Sequence, residues 1–236
     1  MNLLKFARGN AKLGREIHTF SLPAGYTCPG AKHCLAFADR KTGRMVDGPE
    51  QQFRCFSASS EVRSPQARRA RWHNFDLLRA AGGPAEIADL IERSLPDDAT
   101  LIRIHVSGDF FSAEYFLAWC HVARSRPFVR FYAYTKSIHL WRQHIDEIPD
   151  NLVLNASLGG KFDEDTLGLK TAQVVYSEIE AETLGLEVDH DDSHAYSGDE
   201  NFALLLHGVQ RAGSLASVAL GRIRAKGFSG YSRKAA

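Results

Sequence analysis

Three cysteines near the start of the chain have the residue type and the placement of metal ligands. Cys28, Cys34 and Cys55 form a C-x5-C-x20-C array within a loop-rich segment, residues 23–60, that Pro and Gly turns interrupt. Thiolates on such loops can meet at one metal centre, because the turns bring distant positions together. Iron–sulfur clusters favour cysteine ligands, whereas structural zinc sites usually contain a short C-x2–4-C pair, which this array lacks. The array predicts a [4Fe-4S] cluster with one iron free of protein ligands, and zinc is the alternative.

The fourth cysteine lies in a different setting. Cys120 shares a helical stripe with Phe116, Trp119 and Ala123, and a small apolar residue on such a stripe usually faces the core. We therefore predict that Cys120 is buried and has no role in metal binding.

A second set of polar residues ends or follows the predicted strands. The carboxyl ends of neighbouring parallel strands meet at one edge of a sheet, where ligands usually bind. A carboxylate there can accept hydrogen bonds from an amine or from ribose hydroxyls, and glycine lets a ligand approach the backbone closely. We predict a shared pocket in which Gly108, Asp109, Asn155 and Ser157 bind a cofactor and Lys136 is catalytic.

One histidine lies at a border between core and loop. His207 follows the apolar run 202–206 and precedes a glycine. Because imidazole titrates near neutral pH, His207 is a candidate catalytic acid or base, and a hydrogen-bonded structural histidine is the alternative.

Four arginines lie at or just before the start of a predicted helix. Arg63, Arg68, Arg69 and Arg71 carry planar guanidinium groups, which suit phosphate oxygens. Cations near a helix N-terminus oppose its macrodipole, so their presence suggests a purpose. The cluster predicts a contact with nucleic acid, and a solvated arginine-rich helix face is the alternative.

Strand-like and helical segments alternate along most of the chain, which is typical of βαβ units and a parallel sheet. The predicted strands are 17–22, 101–107, 128–135, 151–157 and 171–176, and the predicted helices are 65–81, 84–95, 112–124, 138–145 and 214–226. We predict an α/β fold in a single domain over residues 1–236. Within it, a βα core over about 64–180 follows the cysteine-bearing segment, and a C-terminal helical part covers about 195–236.

The composition limits the classes of partner. The 236 residues contain 29 Lys and Arg against 28 Asp and Glu, a formal net charge of +1, so any contact with nucleic acid must be local. Apolar stretches fall short of the roughly 20 residues that span a bilayer, and the first ten residues lack a secretory signal. We therefore expect a cytoplasmic protein without membrane contact. In that reducing compartment, cysteines more often bind a metal or lie in the core than form disulfides.

Several motifs together resemble those of the phage gene product 88 family. The segments that carry this resemblance are 19–25, 28–32, 106–111, 131–136, 155–157, 203–207 and 212–214. The resemblance extends over most of the chain and implies a bacteriophage protein that works in the cytoplasm of the bacterial host.

The order of cysteine loop and polar strand ends is more distantly similar to radical S-adenosylmethionine enzymes, although their usual C-x3-C-x2-C spacing is absent. This resemblance implies a partial (β/α) barrel in which Cys28, Cys34 and Cys55 hold a [4Fe-4S] cluster. It also implies that Gly108 and Asp109 contact S-adenosylmethionine. An electron donor would then drive cleavage of this cofactor to a 5′-deoxyadenosyl radical.

Three hypotheses for function follow. The preferred one is a [4Fe-4S] enzyme of the radical S-adenosylmethionine type that acts on a nucleotide or on nucleic acid. The second is a nucleic-acid-binding protein or nuclease with a structural or redox-sensing cluster, for which the acidic loop 189–194 offers ligands for a divalent cation. The third is a zinc-stapled interaction protein.

Overall fold

The computed structural model describes residues 2–9, 13–229 and 232–233. Its strands are β1 (Ala7–Arg8), β2 (Ile17–Ser21), β3 (Ala36–Ala38), β4 (Met45–Asp47), β5 (Leu101–Ser107), β6 (Arg130–Thr135), β7 (Leu152–Ser157), β8 (Thr171–Val175), β9 (Glu187–Val188), β10 (Phe202–Leu205), β11 (Phe228–Ser229) and β12 (Ser232–Arg233). Its α-helices are α1 (Phe56–Arg63), α2 (Pro65–Ala80), α3 (Pro84–Ser94), α4 (Ala113–Ser125), α5 (Ile138–Gln143), α6 (Glu178–Thr183), α7 (Ser193–Tyr196) and α8 (Leu215–Ala225). The predicted domain also includes residues 1, 10–12, 230, 231 and 234–236, which lie outside the described residues.

Most strands belong to one eight-stranded sheet with the order β1-β2-β5-β6-β7-β8-β10-β9. The strands β2, β5, β6, β7, β8 and β10 run parallel, and β1 pairs antiparallel with β2 at one edge. Parallel neighbours need crossover connections. The α-helices supply them except between β7 and β8, where a short 3-10 helix (Asp163–Thr166) lies. The prediction of an α/β fold is confirmed as a mixed fold with a mostly parallel sheet. The C-terminal part, predicted as helical, also contains β10, which extends this sheet.

The sheet is buried on both faces. In β6, Phe131 and Ala133 pack into a core with α3 and α4, whereas Tyr132 and Tyr134 belong to a second core that includes residues of β10 and α8. Cys120 of α4 is buried in the first core, as predicted. A strand with both faces covered is typical of parallel sheets.

Local signals determine where the longer helices begin. The hydroxyl of Ser64 accepts a hydrogen bond from the backbone N–H of Ala67 at 3.2 Å, and Ser112 caps α4 in the same way. Such caps satisfy N–H groups that have no partner inside the helix. No helix in the described part of the chain is long and apolar enough to cross a membrane.

The acidic loop 189–194 supplies a counter-ion to the interior. Arg103 of β5 donates from Nη1 to Oδ2 of Asp192 at 2.6 Å, and both side chains are buried. The hydroxyls of Tyr132 and Tyr134 donate to the same carboxylate at 3.0 and 3.2 Å. A buried charge requires such partners, so this carboxylate joins the loop to the centre of the sheet.

Candidate functional site

The three predicted ligand cysteines meet at one cavity at the carboxyl edge of the sheet. Cys28, Cys34 and Cys55 all line this cavity, whose volume is about 150 Å³. A water molecule needs roughly 10–15 Å³ of such space, so the cavity has room for a group of several atoms. Five other predicted site residues also line it: Gly108, Asp109, Lys136, Ser157 and His207.

The cysteine-bearing segment is docked onto the ends of several strands. Ala31 forms an antiparallel bridge with Gly160, which follows β7. The hydroxyl of Ser57 donates to the carbonyl oxygen of Val106 in β5 at 2.8 Å. These contacts bring residues that are far apart in the sequence to one edge of the sheet.

A buried glutamate, Glu61, is hydrogen-bonded to the cysteine-bearing segment. Oε1 of Glu61 accepts hydrogen bonds from the backbone N–H of Ala24 at 2.8 Å and from Nη1 of Arg71 at 2.9 Å. Burial raises the pKa of Glu61, and the charge of Arg71 opposes that rise. This carboxylate therefore joins the cysteine-bearing segment, α1 and α2.

The four predicted arginines divide into two pairs. Arg68 donates to the backbone carbonyl oxygen of Glu61 at 2.6 Å, and both Arg68 and Arg71 are buried. Arg63 and Arg69 are exposed. Only Arg63 and Arg69 present their guanidinium groups to solvent, because Arg68 and Arg71 bind α1 and hold it against α2.

A glutamine holds the third cysteine in place. Cys55 is the residue that precedes α1. The side-chain amide of Gln210 accepts a hydrogen bond from the backbone N–H of Arg54 at 2.7 Å and donates to its carbonyl oxygen at 3.1 Å. It also donates to the carbonyl oxygen of His207 at 2.8 Å. This contact ties the chain beside Cys55 to the loop that follows β10.

The thiols lie in a poorly solvated environment. Burial raises the pKa of Cys28 well above its ordinary value and that of Cys34 to about 11, and nearby Lys136 opposes the rise at Cys34. Thiols of this kind lose their protons when they bind a metal. Within the described ranges, no group of three or more His, Cys, Asp or Glu side chains is arranged to hold a metal ion.

Asp109 connects the ends of β5 and β6. Its carboxylate accepts hydrogen bonds from the hydroxyl of Thr135 at 2.6 Å and from the backbone N–H groups of Phe110 and Lys136, both at 2.7 Å. Burial raises its pKa to about 6, although these donors lower it. Most of its acceptor capacity is therefore used within the protein.

Lys136 is held by the end of β7. Its Nζ donates to the carbonyl oxygen of Ser157 at 2.7 Å, to the hydroxyl of Ser157 at 3.0 Å, and to the carbonyl oxygen of Leu158. An ammonium group has three N–H donors, and these three acceptors match them. The side chain is buried at the cavity, only 8% exposed.

Two predicted residues have contacts that fix their orientation. The ring of His207 donates from Nδ1 to the carbonyl oxygen of Leu205 at 3.1 Å and lies 4.4 Å from the ring of Phe56. Asn155 is fully buried and does not line the cavity. Its amide donates to the carbonyl oxygen of Ala195 at 2.9 Å, so it lies within the protein interior instead.

Four residues of β5 line the cavity without having been predicted, and two of them, Arg103 and His105, are basic. Arg103 lines the cavity and pairs with Asp192, and an arginine between two isoleucines of a strand was a usable signal. His105 also lines it, with a φ of +66° that is unusual for a residue with a side chain. Its Nε2 lies 2.9 Å from the hydroxyl of Tyr115, and burial lowers its pKa to about 3. Nothing in the sequence signals that backbone conformation.

Comparison with known proteins decides the family. The model of the family described as gene product 88 matches residues 2–228. The chain belongs to the gene product 88 family. This confirms the resemblance drawn from the motifs, while the more distant likeness to radical S-adenosylmethionine enzymes stays a prediction.

Two members of the gene product 88 family resemble the chain along part of its length. The gene 88 protein of Mycobacterium phage L5 is 30% identical over 168 residues, which cover 61% of this chain and 62% of that protein. The gene 88 protein of Mycobacterium phage D29 is 28% identical over 175 residues, 65% of each chain. The chain thus spans less than two thirds of these relatives. No solved structure matches it.

In this gene product 88 protein, replacing Gly30 with alanine is expected to displace the cysteine-bearing segment. A Cβ at position 30 would lie 2.0 Å from the backbone carbonyl oxygen of Lys136. Overpacking of this kind costs about 1–3 kcal/mol or more. Chemical denaturation measures the loss, and Gly221→Ala is the control. Gly221 lies in α8 with no atom near its added Cβ, so that variant should gain about 0.5–1 kcal/mol. Equal stability of the two variants would contradict the close packing at Gly30.

The metal-free protein is expected to lose stability, relative to Asp109→Asn, as the pH rises from 4 to 7. The folded state raises the pKa of Asp109 from 3.8 to about 6, so it binds this proton more tightly than the unfolded chain does. That contribution is complete below pH 4 and lost as the pH passes 6. At about 1.4 kcal/mol per unit, it amounts to about 3 kcal/mol. Urea unfolding of both proteins at several pH values measures the difference, and parallel pH profiles would rule it out.

Proposed function

We propose that this gene product 88 protein holds a [4Fe-4S] cluster through Cys28, Cys34 and Cys55 and works as an enzyme of the radical S-adenosylmethionine type on a nucleotide or nucleic acid. One observation carries the proposal. The thiols of Cys28, Cys34 and Cys55 line a single cavity at the carboxyl edge of parallel strands that follow one another in the sheet. This edge is where parallel α/β folds bind their ligands.

The donor set and the cavity suit a cluster better than zinc. Zinc needs four ligand atoms at about 2.0–2.3 Å from one ion, and no group of three His, Cys, Asp or Glu side chains among the described residues is close enough to hold such an ion. A cluster of several atoms accepts ligands that are farther apart. The cavity of about 150 Å³ between the thiols has room for it.

A [4Fe-4S] cluster bound by three thiolates supplies an open coordination position on one iron and, when reduced, one electron for cleavage of S-adenosylmethionine. The protein supplies the rest. Phe53, Phe56 and Leu206 line the cavity and restrict water around reactive groups. The hydroxyl of Ser157 accepts from Lys136 and keeps its own proton to donate to a cofactor. Asp109 holds the ends of β5 and β6 in place. Gly108 also lines the cavity and would lie beside the cofactor.

The arrangement of the sheet supports a partial barrel. Its strands β2, β5, β6, β7, β8 and β10 are adjacent in chain order, as in a (β/α) barrel whose strands follow one another around an axis. Arg103 and Tyr134 line the cavity and contact Asp192 on the same side of the sheet. In the proposed enzyme this face would contact the substrate.

A basic surface at the far end of α1 from the cavity is the contact proposed for a nucleic-acid partner. Gly43, in the turn between β3 and β4, packs closely on the guanidinium of buried Arg68. This contact places the turn beside the start of α2. The exposed cations of the turn and of the two helix ends form the basic surface: Lys41, Arg44, Arg63 and Arg69. α1 spans about 12 Å between Cys55 at the cavity and this surface, a distance that a bound polynucleotide can bridge.

Anaerobic reconstitution with iron and sulfide tests whether the protein binds the cluster. An assay for 5′-deoxyadenosine, with dithionite as reductant, then tests whether it cleaves S-adenosylmethionine. We expect about four iron and four sulfide per chain, a broad visible absorption, and 5′-deoxyadenosine when S-adenosylmethionine is added. A loaded cluster without 5′-deoxyadenosine would exclude the radical step and leave a structural or redox-sensing cluster. Colourless protein with stoichiometric zinc would exclude the cluster.

Binding to DNA and RNA oligonucleotides tests the basic surface. Arg63→Ala and Arg69→Ala should each weaken binding and reduce the slope of log affinity against log salt by about 1. Each variant makes one phosphate contact fewer, so its binding releases fewer counterions. Arg130 is exposed at the first residue of β6, at the opposite edge of the sheet, so Arg130→Ala is the matched control. Affinity that does not change with salt would exclude a phosphate-binding role for this surface.

A further inference from the structure

The ammonium of Lys136 is a fixed charge at the cavity. Its three N–H donors are all taken by oxygens of Ser157 and Leu158. Both of its neighbouring peptide groups are also held. The backbone N–H of Lys136 donates to Asp109, and its carbonyl oxygen packs against Gly30 of the cysteine-bearing segment. Since no donor is left for a substrate, proton transfer is a poor explanation for this side chain.

The ammonium of Lys136 and the cysteine thiols share a cavity in which electrostatic interactions are strong. Lys136 and the three ligand cysteines line the same cavity, and Lys136 is shielded from water. The interaction between two charges is stronger where water is excluded. Asp109 lines the same cavity with the opposite charge, and it is common to the wild-type protein and to every variant of Lys136.

We infer that Lys136 is a positioning residue whose fixed positive charge raises the reduction potential of an iron–sulfur cluster bound beside Cys34. The inference rests on the proposed function. Reduction adds one electron from a low-potential donor to the cluster, no bond forms or breaks, and no proton leaves the ammonium. The reduced cluster carries one more negative charge, so a nearby cation stabilises it more than the oxidised form. The role predicted for Lys136 as a catalytic group is thereby replaced by an electrostatic one.

The chain contains a matched control for this lysine. Nζ of Lys170 donates to three backbone carbonyl oxygens, those of His194, Ser197 and Gly198. Lys170 does not line the cavity of the cysteines. Lys170→Gln therefore removes an ammonium from a similar set of carbonyl groups without changing the charge beside the thiols.

The test is a redox titration of the reconstituted proteins with dithionite, followed by electron paramagnetic resonance. Lys136→Gln removes the charge but keeps two N–H donors, and Lys136→Arg keeps the charge. We expect a more negative midpoint potential in Lys136→Gln, and potentials near that of the wild-type protein in Lys136→Arg and Lys170→Gln. Iron and sulfide contents show how much cluster each variant carries.

The outcomes separate this inference from the proposed function. Lys136→Gln that carries a cluster with the wild-type potential overturns the inference and leaves the cluster in place. If Lys136→Gln takes up no cluster, Lys136→Met is titrated in its place. A failure of both neutral variants to load overturns the inference in favour of a role of Lys136 in holding the cluster. A wild-type protein that takes up no cluster overturns both.

Discussion

Alanine at Cys28, Cys34 or Cys55 is expected to lower the iron and sulfide bound after anaerobic reconstitution to background. Each substitution removes one of the three thiols that line the cavity, and two thiolates cannot keep a cluster in place against exchange with solvent. Visible absorption and iron analysis measure the loss. The effect should be nearly complete for each variant, because the thiols act as one set.

Cys120→Ala is the matched control for these variants. Cys120 is 1% exposed within the core around α4, and burial raises the pKa of its thiol to about 12. The control should retain full iron and sulfide while losing some stability, because it leaves a small space in the core. Wild-type iron content in any of the three cavity variants would show that its cysteine is not a ligand.

Replacing Asp192 with alanine is expected to lower the free energy of unfolding by about 3–5 kcal/mol, the usual cost of breaking a buried ion pair. Asp192 is fully buried and faces the guanidinium of Arg103 at 2.6 Å. The variant also removes the acceptor of the hydroxyls of Tyr132 and Tyr134. Chemical denaturation of the metal-free protein measures the change.

An exposed ion pair provides the comparison. Asp89 and Arg93 lie one turn apart on α3, at 2.7 Å, with both side chains well exposed. Because solvent screens such a pair, Asp89→Ala should cost at most about 1 kcal/mol. The double variant Arg103→Met with Asp192→Leu should recover part of the loss, since it removes both buried charges. A cost below 1 kcal/mol for Asp192→Ala would show that the interior tolerates the loss of this carboxylate.

The order of strands and helices followed from local patterns. The predicted strand 101–107 coincides with β5, and the predicted helix 84–95 differs from α3 by one residue at its end. Capping serines and prolines at first turns are local features, so they can be read from neighbouring residues. The strand β10 was missed because a short apolar run without alternation is compatible with either a strand or a buried helix.

The helix α1 was missed for a related reason. Its eight residues include three serines and have only a weak apolar stripe, so no periodic pattern distinguishes them from the loop before them. Tertiary contacts stabilise it instead. Glu61 binds Arg71 of α2, and Ser57 binds the backbone of β5.

The sequence alone determined the residue types at the candidate site and their positions at strand ends, because both depend on local order along the chain. It also sufficed for the membership in the gene product 88 family. Only the tertiary structure decided which of these residues meet. It placed Arg68 and Arg71 inside the protein and Asn155 away from the cavity, and it surrounded the ammonium of Lys136 with two carbonyl oxygens and one hydroxyl. The physical reason is that burial and hydrogen-bond partners come from segments far apart in the chain, and no local pattern records which segments will pack together.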